Sequence, residues 1–356
     1  MLSKKIQDKY NKQFKKKKEK FHNFFKSYTK KISYHKSSAT GFRTRIEFGV
    51  AKINNLLEFY MIENSVKVAI KHIEICNPKI NSLMKNLIEK IRSNEVLKNK
   101  LFQTEFMVGR NRDSVISLIY HRPLDSDWIK IASDLSMSLN TSIVGRSRKQ
   151  KIVVGKDHVL ETYKYNSREY SLNLFEQCFC QPNPYICETI VHWINQQVSH
   201  ERDVLEFHCG IGTFTIFLSH IFDNVIATES SRPSIKGLIQ NTNLNECSNV
   251  YYARLSDTET LDALNKKKTF KRLKKIDLCT FNLSTVFIDP PRSGLDTSTL
   301  KGLNRFKQII YVSCGFESLK KDIEYLSETH KIEAAGFFDQ FPYTDHIESA
   351  VVLKNK

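Results

Sequence analysis

Seven strand-like runs separated by stretches of helical length constrain this chain more than any other feature. They lie after residue 180: "DVLEFHC", "NVIATES", "NVYYARL", "STVFIDP", "QIIYVSC", "KIEAAGFFD" and "SAVVLKN". Parallel strands need crossovers of about a dozen residues, usually helical, so the alternation predicts a doubly wound, mostly parallel α/β sheet. Such sheets bind ligands beyond the carboxyl ends of their strands. The residues that end each run are therefore the ones to read for chemistry.

The rest of the chain reads differently. The first forty residues are lysine-rich, with "KKKK" at 15–18, and Ile6, Tyr10, Phe14, Phe21 and Phe25 recur at nearly helical spacing. That pattern predicts an amphipathic helix packed on the domain beside it, its lysines either solvated or spent on phosphates. From about 41 to 165, "RTRIEFGV" (43–50), "TEFMVG" (104–109) and "SVISLIYH" (114–121) read as strands, and 77–98 and 123–140 as helices. This is a mixed α+β domain without a catalytic motif. The expected division is a basic helix and α+β domain over 1–165 and the α/β domain over 166–356.

Composition narrows the partners. The 55 Lys+Arg against 38 Asp+Glu give a net charge of +17, which points to a polyanion: nucleic acid or an acidic membrane surface. No apolar run approaches the roughly 18–20 residues of a membrane span, and the N-terminus lacks the apolar core of a signal peptide, so a cytoplasmic protein without a membrane partner is expected. The eight cysteines should then be reduced thiols. The tightest group, Cys178-x-Cys180 followed by Cys187, fits no familiar zinc or iron–sulfur spacing, so no metal is expected. The lysine-rich stretch 265–277 reads as an exposed loop or helix and a candidate RNA-facing one.

Three strand ends carry chemistry. "DVLEFHCGIGTFTIFL" (203–218) is strand, glycine turn and helix, with Gly210 and Gly212 letting the backbone approach a ligand. Thr215 stands where a dinucleotide fingerprint wants its third glycine, which counts against NAD. Glu229 ends the next strand at the offset where an acid takes ribose hydroxyls. Two glycines and an acid suit an adenosyl ligand without a pyrophosphate, S-adenosylmethionine. "FIDPPRSGLD" (287–296) places Asp289 and Arg292 on a rigid proline loop. Asp289 suits the cofactor or a base, and Arg292 suits a phosphate or a carbonyl oxygen.

Cys314 ends the following strand, where packing and nucleophilic catalysis are both open readings. His346 and Glu348 precede the last strand. A thiol, a carboxylate and a methyl donor on one rim suit methylation at uracil C5. That carbon attacks a methyl group only after a thiolate has added at C6, and a base must later remove the C5 proton. Arg292 or a helix N-terminus is expected to lower the thiol's pKa.

"FIDPPRSGLD", "YVSC", "FDQFPYTDHIE" and "CQPN" closely resemble the RNA uracil-5-methyltransferases, most closely the TrmA-type tRNA (uracil-5-)-methyltransferases. The similarity also takes in "KLFQ" (100–103), "SLIYH" (117–121) and "FRTRIEF" (42–48). The resemblance implies a seven-stranded Rossmann-like class I methyltransferase domain preceded by an RNA-binding α+β domain. It implies Cys314 as nucleophile and Glu348 as base, with cofactor contacts at Gln181, His208, Gly210, Thr213, Glu229 and Asp289. RNA contacts would fall on Glu47, Phe102, Gln103, His121 and Arg292. The implied substrate is the T-arm of tRNA at uridine 54, flipped out of its stack, with transfer-messenger RNA as a further substrate and a monomer as the working unit.

The chain departs from the family in reading Gly315–Phe316 where Asn–Pro is usual after the cysteine, His208 for a tyrosine and Thr213 for an asparagine. The alternatives are an rRNA enzyme of the same chemistry and a tRNA-binding or folding module with weak or lost catalysis. The iron–sulfur cysteine spacing of the rRNA members is missing. A cytosine-5 enzyme would carry a cysteine in the fourth-strand loop, where this chain has "DPPR".

Overall fold

The computed structural model describes residues 4–199 and 202–356. In chain order it opens with α1 (Lys4–Phe25) and β1 (Ile32–His35). There follow β2 (Arg45–Ile53), β3 (Leu56–Glu63), β4 (Val66–Ala69), α2 (Pro78–Arg92), α3 (Glu95–Lys98), β5 (Leu101–Val108), β6 (Ser114–Tyr120), α4 (Ser126–Leu139), β7 (Ser142–Ser147) and β8 (Gln150–Val154). A hairpin, β9 (His158–Tyr165) and β10 (Arg168–Phe175), leads into α5 (Pro184–Gln197). The α/β region then runs β11 (Asp203–Phe207), α6 (Thr215–Leu218), β12 (Asn224–Thr228), α7 (Arg232–Leu244), β13 (Val250–Ala253), α8 (Asp257–Leu264), β14 (Leu283–Ile288), α9 (Thr297–Gly302), β15 (Gln308–Ser313), α10 (Phe316–Leu326), β16 (His330–Phe338) and β17 (Glu348–Asn355).

Two compact units result: one of residues up to Ala39, Tyr163–Leu172 and Asn183–Lys356, the other of Thr40–Thr162 and Asn173–Pro182. This corrects the expected boundary at 165, because the first 39 residues pack with the C-terminal unit. Tyr10, Phe14, Phe21 and Phe25 of α1 share a buried core with Phe316 and Phe337. Strand β1 extends the sheet by pairing parallel with β16, from Ile32 opposite Ala335 to His35 opposite Phe338. Local composition cannot register a pairing across some three hundred residues of chain.

The first unit's sheet has eight strands in the order β1-β16-β17-β15-β14-β11-β12-β13. All seven expected strands are present. Every pairing is parallel except those of β17, which runs antiparallel between β15 and β16. Strands β14, β15 and β17 are buried almost throughout, as befits a sheet covered on both faces.

The second unit is a seven-stranded sheet, β4-β3-β2-β5-β6-β7-β8. The helix expected over 77–98 breaks at Ser93–Asn94, where Ser93 caps α2 and the Asn94 side chain accepts from Leu97 N to start α3. Apolar residues of α2 and α4, Leu87, Ile91 and Trp128 among them, share one core with Phe48, Phe59 and Phe106 of the sheet.

Phe14 is buried on the inner face of α1, whereas Lys12 is exposed. Phe14→Ala should cost about 3–5 kcal/mol in denaturant unfolding, as large core truncations do, and Lys12→Ala no more than about 0.5 kcal/mol. Equal effects would mean that α1 is not docked.

Candidate functional site

Strand order reverses between β11 and β14, and the crevice beyond their carboxyl ends is where an open α/β sheet takes its ligand. His208 leaves β11 into this crevice and Asp289 leaves β14. Glu229 ends the strand beside them. His208 adopts a left-handed backbone (φ 55°), uncommon for a non-glycine residue. Its Nε2 lies 2.7 Å from Asp257 Oδ2. Burial alone would depress the imidazolium, but the Asp257 carboxylate outweighs it and holds the ring above its usual range.

Gly210 is left-handed as well (φ 56°), and a Cβ added there would meet nothing within 4 Å. The turn is thus open on its ligand side. Glu229 fastens it from behind: Oε2 accepts from Gly210 N at 3.1 Å, and Oε1 accepts from Ser231 N at 2.7 Å. Thr213 is buried in the same turn. Glu206, on β11, is buried with its Oε2 lacking a hydrogen-bond partner. Burial, with Asp289 and Glu229 adding to it against the Thr215 hydroxyl, pushes its carboxyl up to about 8. A glycine turn with open space and an unsatisfied buried carboxyl beneath it fits an adenosyl ligand.

Farther along the same rim, sheet register brings a thiol and a carboxyl together. In the antiparallel ladder Ser313 faces Ser349, so the next step outward brings Cys314 opposite Glu348. On the far side Glu348 pairs with Phe338. In the parallel ladder Ile288 faces Tyr311, so the next step puts Asp289 opposite Val312, two residues before the cysteine. Three acidic groups therefore share one poorly hydrated edge. Burial and then the Asp289 charge raise Glu348 well above the carboxylate range.

Burial, then Glu348 and Asp289, push the Cys314 thiol up to about 12, against a small opposing effect of Arg292. The expectation that Arg292 or the helix terminus would make the thiol acidic is thus corrected. Buried carboxylates outweigh one exposed guanidinium. Arg292 itself points from an exposed loop.

The Cys314 turn accounts for one departure from the family pattern. A Cβ at Gly315 would come within 2.4 Å of the Arg292 carbonyl oxygen. The Ser318 hydroxyl donates to that same oxygen at 3.0 Å. Here asparagine would not fit, and glycine lets the cysteine turn and the DPPR loop close on one another.

The second unit holds its own site. Phe102 and His121 stack with ring centroids 3.8 Å apart at 9°. They line a cavity of about 850 Å³ together with Arg45, Glu47, Gln103, Arg146 and Arg148. Gln103 Nε2 donates to Glu47 at 2.8 Å. The Arg45 guanidinium is fixed by Glu105 and the carbonyls of Glu176 and Cys178. All four residues expected to meet RNA from this unit are therefore together. Gln181 is buried in the second unit, apart in the division from the other expected cofactor residues.

Sequence reading missed Asp257, Glu206, Arg146 and Arg148. Asp257 had a signal, since it follows Ser256 of a capping box completed by Glu259. The i, i+2 spacing of the arginines in "GRSRK" is the signal, with Arg146 on β7 and Arg148 in the turn that follows it. Among the described residues no group of three His, Cys, Asp or Glu is placed to hold a metal, and no helix is long and apolar enough to cross a membrane.

Residues 9–356 match the family described as tRNA (Uracil-5-)-methyltransferase. The tRNA/tmRNA (uracil-C(5))-methyltransferase of Cellvibrio japonicus (strain Ueda107) is 40% identical over 328 residues, 91% of this chain and 90% of that protein. The protein of the same description from Teredinibacter turnerae is 40% identical over 355 residues, 98% and 97% of the two chains. The fold is similar to that of the Pyrococcus abyssi tRNA (uracil-54, C5)-methyltransferase solved with S-adenosyl-L-homocysteine. That match has a TM-score of 0.71 at 20% identity and covers 97% of this chain and 83% of that one.

The raised thiol predicts a measurement. Alkylation of Cys314 by iodoacetamide, followed peptide by peptide, should still be accelerating above pH 9, with a midpoint near 12. Glu348→Gln removes a neighbouring negative charge and should move that midpoint down toward the ordinary thiol range. A wild-type midpoint below 8 would contradict this electrostatic picture.

Proposed function

The chain belongs to the tRNA (uracil-5-)-methyltransferase family and is an S-adenosylmethionine-dependent tRNA uracil-C5 methyltransferase; on that premise we propose that it methylates the T-loop uridine 54, with Cys314 as nucleophile and Glu348 as base. The observation that carries the residue roles is the register that sets Cys314 against Glu348 beside the cofactor crevice. His208, Gly210, Thr213, Glu229 and Asp289 are proposed to hold the cofactor, and the family resemblance adds Gln181 to that set. When bound, S-adenosylmethionine supplies the electrophilic methyl group.

The chain's own residues do the remaining work. The Cys314 sulfur bonds to C6 as the C5–C6 π pair shifts toward C5 and the C4 carbonyl, which makes C5 nucleophilic. The thiol must give up its proton as this bond forms, and the partial exposure of Cys314 lets the proton leave to water. Once C5 carries the methyl group, Glu348 takes the C5 proton. That electron pair re-forms the C5–C6 double bond and the C6–S bond breaks, returning the thiolate. Glu348 has to be ionised for this step. Its burial beside Asp289 makes it a stronger base than a solvated carboxylate.

RNA is proposed to meet the second unit in the cavity of Phe102 and His121, whose stacked rings suit a splayed base and whose arginines suit phosphates. Arg292 is proposed to reach RNA from the catalytic unit. The T-arm of transfer-messenger RNA presents the same chemistry and is proposed as a second substrate, with a single chain as the working unit.

A methyl-transfer assay with labelled S-adenosylmethionine on unmodified tRNA, with the modified nucleotide mapped, tests the reading. Wild type should label uridine 54 and Cys314→Ala should label nothing. Glu348→Gln should form the C6 adduct and hold it, so that a protein–RNA species survives denaturing electrophoresis. Normal turnover in Glu348→Gln would end its role as the base. Label confined to rRNA would keep the chemistry and overturn the substrate.

The charge of +17 carries a further expectation. The logarithm of tRNA affinity should fall linearly with the logarithm of salt, by roughly 0.7–0.9 per phosphate contact. Replacing Arg146 and Arg148 by Gln should lower that slope by about one to two. An unchanged slope would remove the two arginines from the interface.

A further inference from the structure

Helix α1 contacts both the helix that follows Cys314 and the loop that leads to Glu348, and it does so with charged and aromatic groups that a mere cover would not need. Phe316, two residues after Cys314, is the first residue of α10. Its ring lies among Phe21 at 5.9 Å, Phe24 at 5.9 Å and Phe25 at 6.5 Å between centroids. Lys20 of α1 adds an ion pair at 2.8 Å to Glu317, the next residue of α10. Phe316 stands where the family usually has proline, so a turn that others stiffen by ring closure is here held by an aromatic cluster.

One turn earlier, α1 grips the other arm. The inner-face pattern Tyr10, Phe14, Phe21, Phe25 is interrupted by Lys17, which is only 5% exposed. Its ammonium donates to Asp339 Oδ1 and to the Phe341 carbonyl, both at 2.8 Å. Gln13 Nε2 donates to the second oxygen of Asp339, also at 2.8 Å. Asp339 and Phe341 begin the loop between β16 and β17, whose last residues lead into Glu348. Tyr343 of that loop donates its hydroxyl to the Ala39 carbonyl. A buried charge pair is costly to place and geometrically exacting, which suits fixing a loop better than adding stability.

We infer that α1 is a positioning clamp for catalysis: Phe316 and its aromatic cluster hold the Cys314 turn, and Lys17 with Asp339 holds the loop that presents Glu348. This rests on the assignment of Cys314 as nucleophile and Glu348 as base. The residues of the clamp are positioning residues, since none belongs to the reactive pair itself. Because they act on different arms, they should affect different steps.

The experiment reads the steps separately with the full chain and T-arm RNA. Adduct formation is followed on RNA carrying 5-fluorouracil at the target, which cannot lose its C5 substituent as a proton. Release is followed as persistence of the adduct on natural uridine. Wild type must trap the first RNA and Cys314→Ala must not. Failure of that control would strike the nucleophile assignment, not the clamp.

Given the control, Phe316→Ala should slow adduct formation by about 10–100-fold, the scale of a misplacement near 1 Å, with KM for RNA unchanged. Lys17→Met should leave adduct formation within about twofold and prolong the adduct on natural uridine by at least about tenfold. Phe316→Leu and Lys17→Arg should restore most of each loss. Should Lys17→Met unfold the protein, Lys17→Met/Asp339→Leu removes both charges while keeping apolar packing and gives the same comparison. The clamp is overturned if folded variants keep both steps at wild-type rates, if both slow the same step, or if only KM rises.

Discussion

Everything at the reactive rim depends on one antiparallel strand placed inside an otherwise parallel sheet. A parallel strand in the position of β17 would present its carboxyl end at the rim, and its first residue would lie at the opposite edge. Running backwards between β15 and β16, β17 instead presents its first residue, Glu348, where β15 presents its last, so that the step beyond Ser313–Ser349 unites acid and thiol. The ladder hydrogen bonds on both sides of β17 fix that register. A slip by one residue would turn Glu348 to the other face and take it away from Cys314.

The same closeness creates an electrostatic problem. Asp289, Cys314 and Glu348 are all acidic, and low hydration at the rim disfavours each negative charge in the presence of the others. Burial and this mutual repulsion push the thiol up to about 12 and raise Glu348 well above the carboxylate range. A protein that has to keep a nucleophile from attacking stray electrophiles gains from that arrangement. In the proposed mechanism the thiol must be deprotonated during the reaction, beside a carboxylate that must also be ionised before it can act. His208 acts on Asp289 and Arg292 on Cys314 as opposing positive groups, and His208 is itself held by Asp257.

How much of this was legible in the sequence differs from residue to residue. Strand endings such as "FIDP" and "YVSC" announce residues at the carboxyl edge of a parallel sheet, so Asp289 and Cys314 were readable from period and position alone. Glu348 was readable from its place just before the last strand, and the resemblance implied the same role, but periodicity does not reveal that this strand runs antiparallel. Gly315 looked like a loss against the family pattern, and the carbonyl of Arg292 shows why it is required there. Lys17 looked like one more lysine in a basic run. Its burial depends on Asp339, 322 residues away in sequence, and no local window holds both.

The sequence by itself determined the α/β alternation, the glycine turn with Glu229, and the identity of the groups able to do chemistry, because these depend on local periodicity and side-chain type. Tertiary structure alone decided that α1 and β1 belong to the catalytic unit. It also decided that the cysteine turn closes on the DPPR loop and that the cysteine is held as a thiol. Those outcomes are set by burial and by charges brought together from distant parts of the chain. Desolvation and Coulomb energy depend on distance in space, and the order of residues carries that distance only after folding.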